Sequence, residues 1–134
     1  MSGETDLKKL LQSMQPDHNA GEYVFCVLDS PMRLTGITPL GFFREKEGVT
    51  VILPRADADQ AGLSYAGTFA WITLTVHSSL EAVGLTAAFS RALAEARISC
   101  NVVAAFYHDH IFVPAADAER ALDALRALSE QTGL

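Results

Sequence analysis

The residues best able to do chemistry cluster late in the chain, where His108 and His110 stand at i, i+2 with Asp109 between them. On an extended strand that spacing turns both imidazoles to one face, where they offer two of the nitrogen ligands a transition metal takes. Two ligands do not make a site. A third would have to come from His77, Asp109 or a more distant carboxylate, and none stands at a recognisable metal spacing, so no metal is expected. A small metal-dependent enzyme or metalloprotein using His108, Asp109 and His110 is nevertheless the competing functional reading. Asp109 by itself also has a plain reading as a solvated turn aspartate.

The second place for chemistry is the stretch from Val76 to Gly84 that leads into a helical pattern at Leu85 and Thr86. A helix start offers unpaired backbone N–H groups and a positive dipole end, both suited to a carboxylate, and Gly84 would let a ligand approach the backbone. The plain alternative is a capping box, with Ser78 accepting at the helix start and Glu81 three residues on. Nucleophilic catalysis finds no support. No serine sits in a G-x-S-x-G elbow, neither Cys26 nor Cys100 has a histidine placed to activate it, and phosphate-cradling glycine loops are absent. No catalytic residue and no cofactor are therefore expected.

Bulk properties narrow the class further. In 134 residues with 49% hydrophobic content the chain can bury a core and is not disordered, and a net charge of −6 disfavours the phosphate-neutralising surface that nucleic acid requires. Two widely spaced cysteines in apolar runs read as buried thiols of a reducing compartment. The polar, acidic N-terminus is unlike a signal peptide, and no apolar stretch reaches the ~20 residues of a membrane span. A cytoplasmic protein with neither nucleic-acid nor membrane partners is expected.

The elements that must hold these residues follow from periodicity. Leu7, Leu10, Leu11 and Met14 make a short helical stripe ended by Pro16, with turn residues from Asp17 to Gly21. Strands are predicted at Tyr23–Leu28, Phe42–Arg44 and Val49–Leu53, then a turn or two of helix over Arg55–Gly62. After the small-residue junction at Ser64–Gly67 the pattern becomes regular. Phe69–Val76 alternates with period two, Leu85 to Ala96 is helical, Ile98–Phe106 and His110–Val113 are strands, and Ala118 to Leu128 is helical. Strand, helix, strand, strand, helix is a split β-α-β form with two helices on one face of an antiparallel sheet. Phe69, Trp71 and Tyr107 are too much aromatic surface for water, so the other face or edge is expected to meet a cover, with Trp71 and Phe69 read as interface aromatics.

The runs Ile72–Leu74, Ala82–Phe89 and Leu93–Val102, followed by Tyr107–Pro114 and Asp117–Leu128, resemble the ACT domain. Gly41–Leu53 resembles the more divergent first unit of small bacterial tandem ACT proteins, a group related to amino-acid sensors with paired ACT domains. The family's usual proline before the loop glycine is Val83 here, and a stand-alone module without an attached catalytic domain is expected. The resemblance implies an α+β fold of ferredoxin-like, βαββαβ-type ACT domains in tandem, antiparallel sheets with helices on one face. It divides the chain into an N-terminal helix and turn (1–20), a divergent first unit (21–66) and a regular second domain (67–134). It also implies a non-catalytic regulatory module that binds a small molecule, by family likeness an amino acid, and works as a homodimer or higher homo-oligomer, as a sensor or through a partner protein. The binding set carried over is Ser78, Ser79, Val83, Gly84, Leu85, Thr86, Asn101 and Asp109, with Asp109 pairing the ligand's amino group.

Overall fold

The computed structural model describes residues 7–75 and 84–132. The chain divides into two compact units, Gly21–Phe69 and a second made of Met1–Ala20 with Ala70–Leu134. Ser78, Ser79 and Val83, together with His77 and Glu81, lie outside the described residues. No helix among the described residues is long and apolar enough to cross a membrane.

The second unit begins with helix α1 (Leu7–Ser13), whose apolar stripe buries Leu10 and Leu11. Strand β1 (Gln15–Leu28) follows, and residues 17–21, read from sequence as a turn, are strand. The local propensity of Asp, Asn and Gly for turns loses to pairing with β4 (Phe69–Thr75), a partner more than fifty residues away. Asn19 Nδ2 donates to the Trp71 carbonyl at 3.3 Å and to Thr73 Oγ1 at 2.9 Å, and Thr75 Oγ1 donates to Asp17 at 2.5 Å. Within β1, Gly21 adopts a left-handed φ of +95°, open to glycine without strain.

Beyond β4 come helix α3 (Leu85–Glu95), strands β5 (Asn101–Ala104) and β6 (Asp109–Pro114), a single 3₁₀ turn, and helix α4 (Ala118–Thr132). In this unit the strands lie in the order β1, β4, β6, β5. One apolar core joins strand residues Ile72, Leu74, Ile111 and Val113 to Phe89 and Leu93 of α3 and Leu122 and Leu125 of α4. Leu10, Leu11 and Met14 belong to the same core, so three helices cover this face where the sequence suggested two. The strand expected over Ile98–Phe106 is shorter because α3 ends in a Schellman motif. Ile98 N–H donates to the Leu93 carbonyl and Arg97 N–H to that of Ala94, both at 2.9 Å, with Arg97 left-handed at φ 62°. Ile98 is thereby turned into the core before the chain extends.

The first unit is smaller. Strands β2 (Gly41–Arg44) and β3 (Val49–Pro54) form an antiparallel hairpin closed at Glu45 and Gly48, and β3 pairs with residues 23–28 of β1. Val24, Cys26 and Leu28 meet Val51, Leu53 and Ala58, the last from the short helix α2 (Arg55–Gln60). Arg55 bonds Glu22 at 2.8 Å and the Tyr65 hydroxyl at 3.1 Å, an exposed cluster of little energetic weight.

Because Leu10 is fully buried, truncating it removes core packing and not a loose N-terminal arm. Leu10→Ala is expected to cost about 2–5 kcal/mol in urea denaturation; an unchanged midpoint would show that α1 contributes nothing to the fold.

Candidate functional site

Alternation along β6 decides which residues can act together. Ile111 and Val113 enter the helix-covered core, so Asp109, in phase with them, lies on that face, while His108 and His110 lie on the reverse face. His108, Asp109 and His110 therefore do not converge, and among the described residues no group of three His, Cys, Asp or Glu is placed to hold a metal ion. The two imidazoles do face the same way, with ring centroids 6.5 Å apart.

On the reverse face His110 is built into a polar network that sequence reading missed. Trp71 Nε1 donates to His110 Nδ1 at 3.0 Å, and Thr73 Oγ1 lies 3.1 Å from the same nitrogen while accepting from Asn19. An indole N–H can only donate, so Nδ1 carries a lone pair and the neutral ring holds its proton on Nε2. Burial holds the His110 imidazole below its ordinary value, His108 adds to this and Asp109 opposes it. Trp71, expected as an interface aromatic, is thus half-buried and anchored within its own unit, its ring stacked at 6.5 Å on Phe112. The alternation of Trp71, Thr73 and Thr75 was visible in the sequence. Asn19 was not, since its partners lie 52 and 54 positions along the chain.

On the helix-covered face, α3 carries the chain back along β4, so β5 runs with β4 and β6 runs against both. With His110 level with Trp71 and Thr73, Asp109 lies toward Thr75, the end from which the chain leaves for residues 76–83 and returns at Gly84. Burial raises the Asp109 carboxyl above the usual carboxylate value, while His110 and His108 pull the other way. The capping box suggested by Ser78 and Glu81 lies outside the described residues. Gly84 is the N-cap, left-handed at φ 95°, and has no side chain with which to cap the first turn. A Cβ at this position would lie 3.1 Å from Leu7 Cδ2, so Leu7 and not open space faces the Gly84 α-carbon.

The remaining expected residues are dispersed. Leu85 is buried in the core and offers only its backbone, and Thr86 is exposed. Asn101 pairs with Phe112 whereas Asp109 pairs with Ala104, so the two stand three register positions, about 10 Å, apart. A groove of about 670 Å³ runs from Leu7 and Gly84 along Ala88, Ala92 and Ala124. Both cysteines are free. Burial pushes the Cys26 thiol up and that of Cys100 to about 11, which leaves them protonated and poorly nucleophilic near neutrality.

With this geometry in place, comparison with known proteins shows two matches to the ACT domain, over residues 2–70 and 68–127. A Vibrio cholerae protein of unknown function, described as a possible transport protein, is 51% identical and superposes with a TM-score of 0.85, covering 92% of this chain and 95% of its own. The ligand-free regulatory subunit of aspartate kinase from Thermus thermophilus gives a TM-score of 0.63 at 15% identity, covering 86% of this chain and 95% of the subunit. Clostridium acetobutylicum aspartate kinase gives 0.65 at 10% identity, covering 88% of this chain and 34% of the enzyme. The last two show a shared fold. No curated protein sequence matches the chain.

The network around His110 has a titration signature. Its folded value lies below the unfolded one of about 6.5, so the unfolded chain takes up the proton first. The stabilisation is complete above that unfolded value and is lost as pH falls through the folded one. An NMR titration of the imidazole is expected to give a midpoint below the free-histidine value, and Trp71→Phe to move it upward; an unmoved midpoint would mean the indole bond does not form in solution.

Proposed function

The chain belongs to the ACT-domain family with two such domains in tandem, and on that premise we propose that it is a non-catalytic regulatory module that binds an amino acid and transmits its occupancy to a partner protein. One feature carries this reading: by strand alternation and chain direction Asp109 falls on the same face, and toward the same end of the sheet, as the first turn of α3, whose N-cap is the glycine Gly84. An α-amino acid presents a carboxylate and an ammonium on one carbon. The first-turn N–H groups and positive end of α3 suit the first, and Asp109 suits the second.

The electrostatics of Asp109 fit a group awaiting a cation. Burial penalises its charge, and the positive character it can draw on from His110 and His108 is modest. A bound ammonium would supply the missing counter-charge and draw the pKa down again. Ser78, Ser79, Val83 and Thr86 are the proposed flanking contacts, and Leu85 takes part through its backbone. Asn101, three register positions from Asp109, is the weakest member of the set. Regulation follows by linkage, since a ligand that favours one arrangement of the protein shifts its population by the difference in its affinities. Action in the cytoplasm is part of the same reading.

The competing use of His108, Asp109 and His110 in a metal-dependent enzyme is disfavoured because the carboxylate and the imidazoles lie on opposite sides of one strand. The same geometry makes the ligand-binding reading separable from stability. Asp109 has its folded value raised above the unfolded one, so its contribution to stability is present at low pH and lost as pH rises through the folded value.

A thermal-shift scan of the common amino acids is expected to find at least one that raises Tm. At a hundredfold excess over Kd the stabilisation is about 2.7 kcal/mol, roughly 10 °C for a chain of this size. Asp109→Asn should abolish that shift while leaving the ligand-free Tm at pH 7 unchanged or higher. No response to any amino acid at millimolar concentration would overturn the proposal.

A further inference from the structure

Trp71 and Thr73 meet His110 at a single nitrogen. His110 Nδ1 receives the indole N–H at 3.0 Å and lies 3.1 Å from Thr73 Oγ1. Thr73 is buried, Trp71 and His110 are half-buried, and all three stand on the reverse face of β4 and β6.

The two partners differ in what they can do. An indole N–H only donates, whereas a threonine hydroxyl donates or accepts. Nδ1 can take the indole hydrogen only while it carries a lone pair, which is the neutral ring with its proton on Nε2. A second proton has to settle on Nδ1, where it points at the indole hydrogen. Two donors then face each other at 3.0 Å, and the bond to Trp71 cannot persist. Thr73 Oγ1 can accept the new N–H, because the hydroxyl has two lone pairs and Asn19 Nδ2 occupies one of them at 2.9 Å.

We propose that Trp71, Thr73 and His110 form a proton-operated latch, in which neutral His110 holds the indole and protonated His110 turns its bond to Thr73 and lets the indole go. Asn19 steadies the hinge in both states, since it bonds Thr73 Oγ1 and, at 3.3 Å, the Trp71 carbonyl. The backbone of β4 is therefore held while the side chain of Trp71 is released. A half-buried indole N–H without an acceptor is costly, so the ring moves toward water and leaves its stack on Phe112.

The charges around His110 set where this exchange falls. His108 faces the same way from β6, with ring centroids 6.5 Å apart, and opposes a second positive charge, while Asp109 on the other side of the strand favours it. From β1, Asp17 lies two positions from Asn19 and accepts from Thr75. On this face β4 presents Trp71, Thr73 and Thr75, and β5 presents Val103 and Asn101, and none of these takes up a proton. Burial outweighs the neighbouring charges and places the exchange on the acid side of the ordinary histidine range. The latch is closed at neutral pH and opens on acidification.

Trp71 is the sole tryptophan of the chain, so its fluorescence and its indole N–H resonance report the latch in the full-length protein without a label. As pH falls from neutrality, the emission is expected to move to longer wavelength and the indole resonance to shift, both with the midpoint of the His110 imidazole and with the far-UV circular dichroism retained. His110→Gln keeps an acceptor for the indole but does not titrate, and should abolish both changes. Thr73→Val removes the group that accepts Nδ1–H, and should lower the His110 midpoint by roughly half a pH unit or more, the size of one hydrogen bond, opposite to the rise expected for Trp71→Phe. His108→Gln and Asp17→Asn should keep the coincident transition of indole and imidazole. An indole resonance that stays put while His110 titrates, a transition that survives His110→Gln, or a midpoint that rises in Thr73→Val would overturn the proposal.

Discussion

Ile72 and Leu74 of β4 and Ile111 and Val113 of β6 pack against Phe89, Leu93 and Leu125, and the rest of the larger unit is arranged around that contact. Every one of these side chains is fully buried. Because strand side chains alternate, committing the odd positions of β6 to the helices commits the even ones to the reverse face. A one-residue slip of β6 would take Ile111 and Val113 out of the helix-covered core and bury His110 among leucines, which fixes the register firmly.

This sorting has a chemical consequence. Three adjacent titratable residues, His108, Asp109 and His110, look in sequence like one cluster and are two environments in the fold. The histidines look onto a face where Asn19, Thr73 and Trp71 satisfy much of the polar demand and hold His110 neutral. The carboxylate looks onto the helix side, where burial penalises its charge. The pKa values of Asp109 and His110 are moved in opposite directions by the same cause, loss of water, because desolvation favours the uncharged form of each.

Much of this architecture was readable from residue pattern. The helical stripes of α1, α3 and α4, the alternating β4 and the β2–β3 hairpin all follow from periods of 3.6 and 2 with turn residues between them. The failures have a shared origin in long-range pairing and end structure. Residues 17–21 carry turn formers yet extend because β4 supplies partners for Asp17 and Asn19. Ile98 carries strand propensity yet serves as the apolar plug of a helix end, an arrangement that depends on Arg97 accepting a left-handed conformation for which glycine is the usual choice.

The sequence by itself determined the fold class and the positions of most elements, because those depend on local periodicity and on which residue types are present. It also pointed to Gly84 and Asp109. Only the tertiary structure decided that Asp109 parts company with its neighbouring histidines, that Leu7 occupies the space before Gly84, and that α1 belongs to the same core as the last helix. The physical reason is that a strand's face and a helix's neighbours are set by contacts between distant segments. Burial on one side of the sheet has to be known before the other side acquires a meaning.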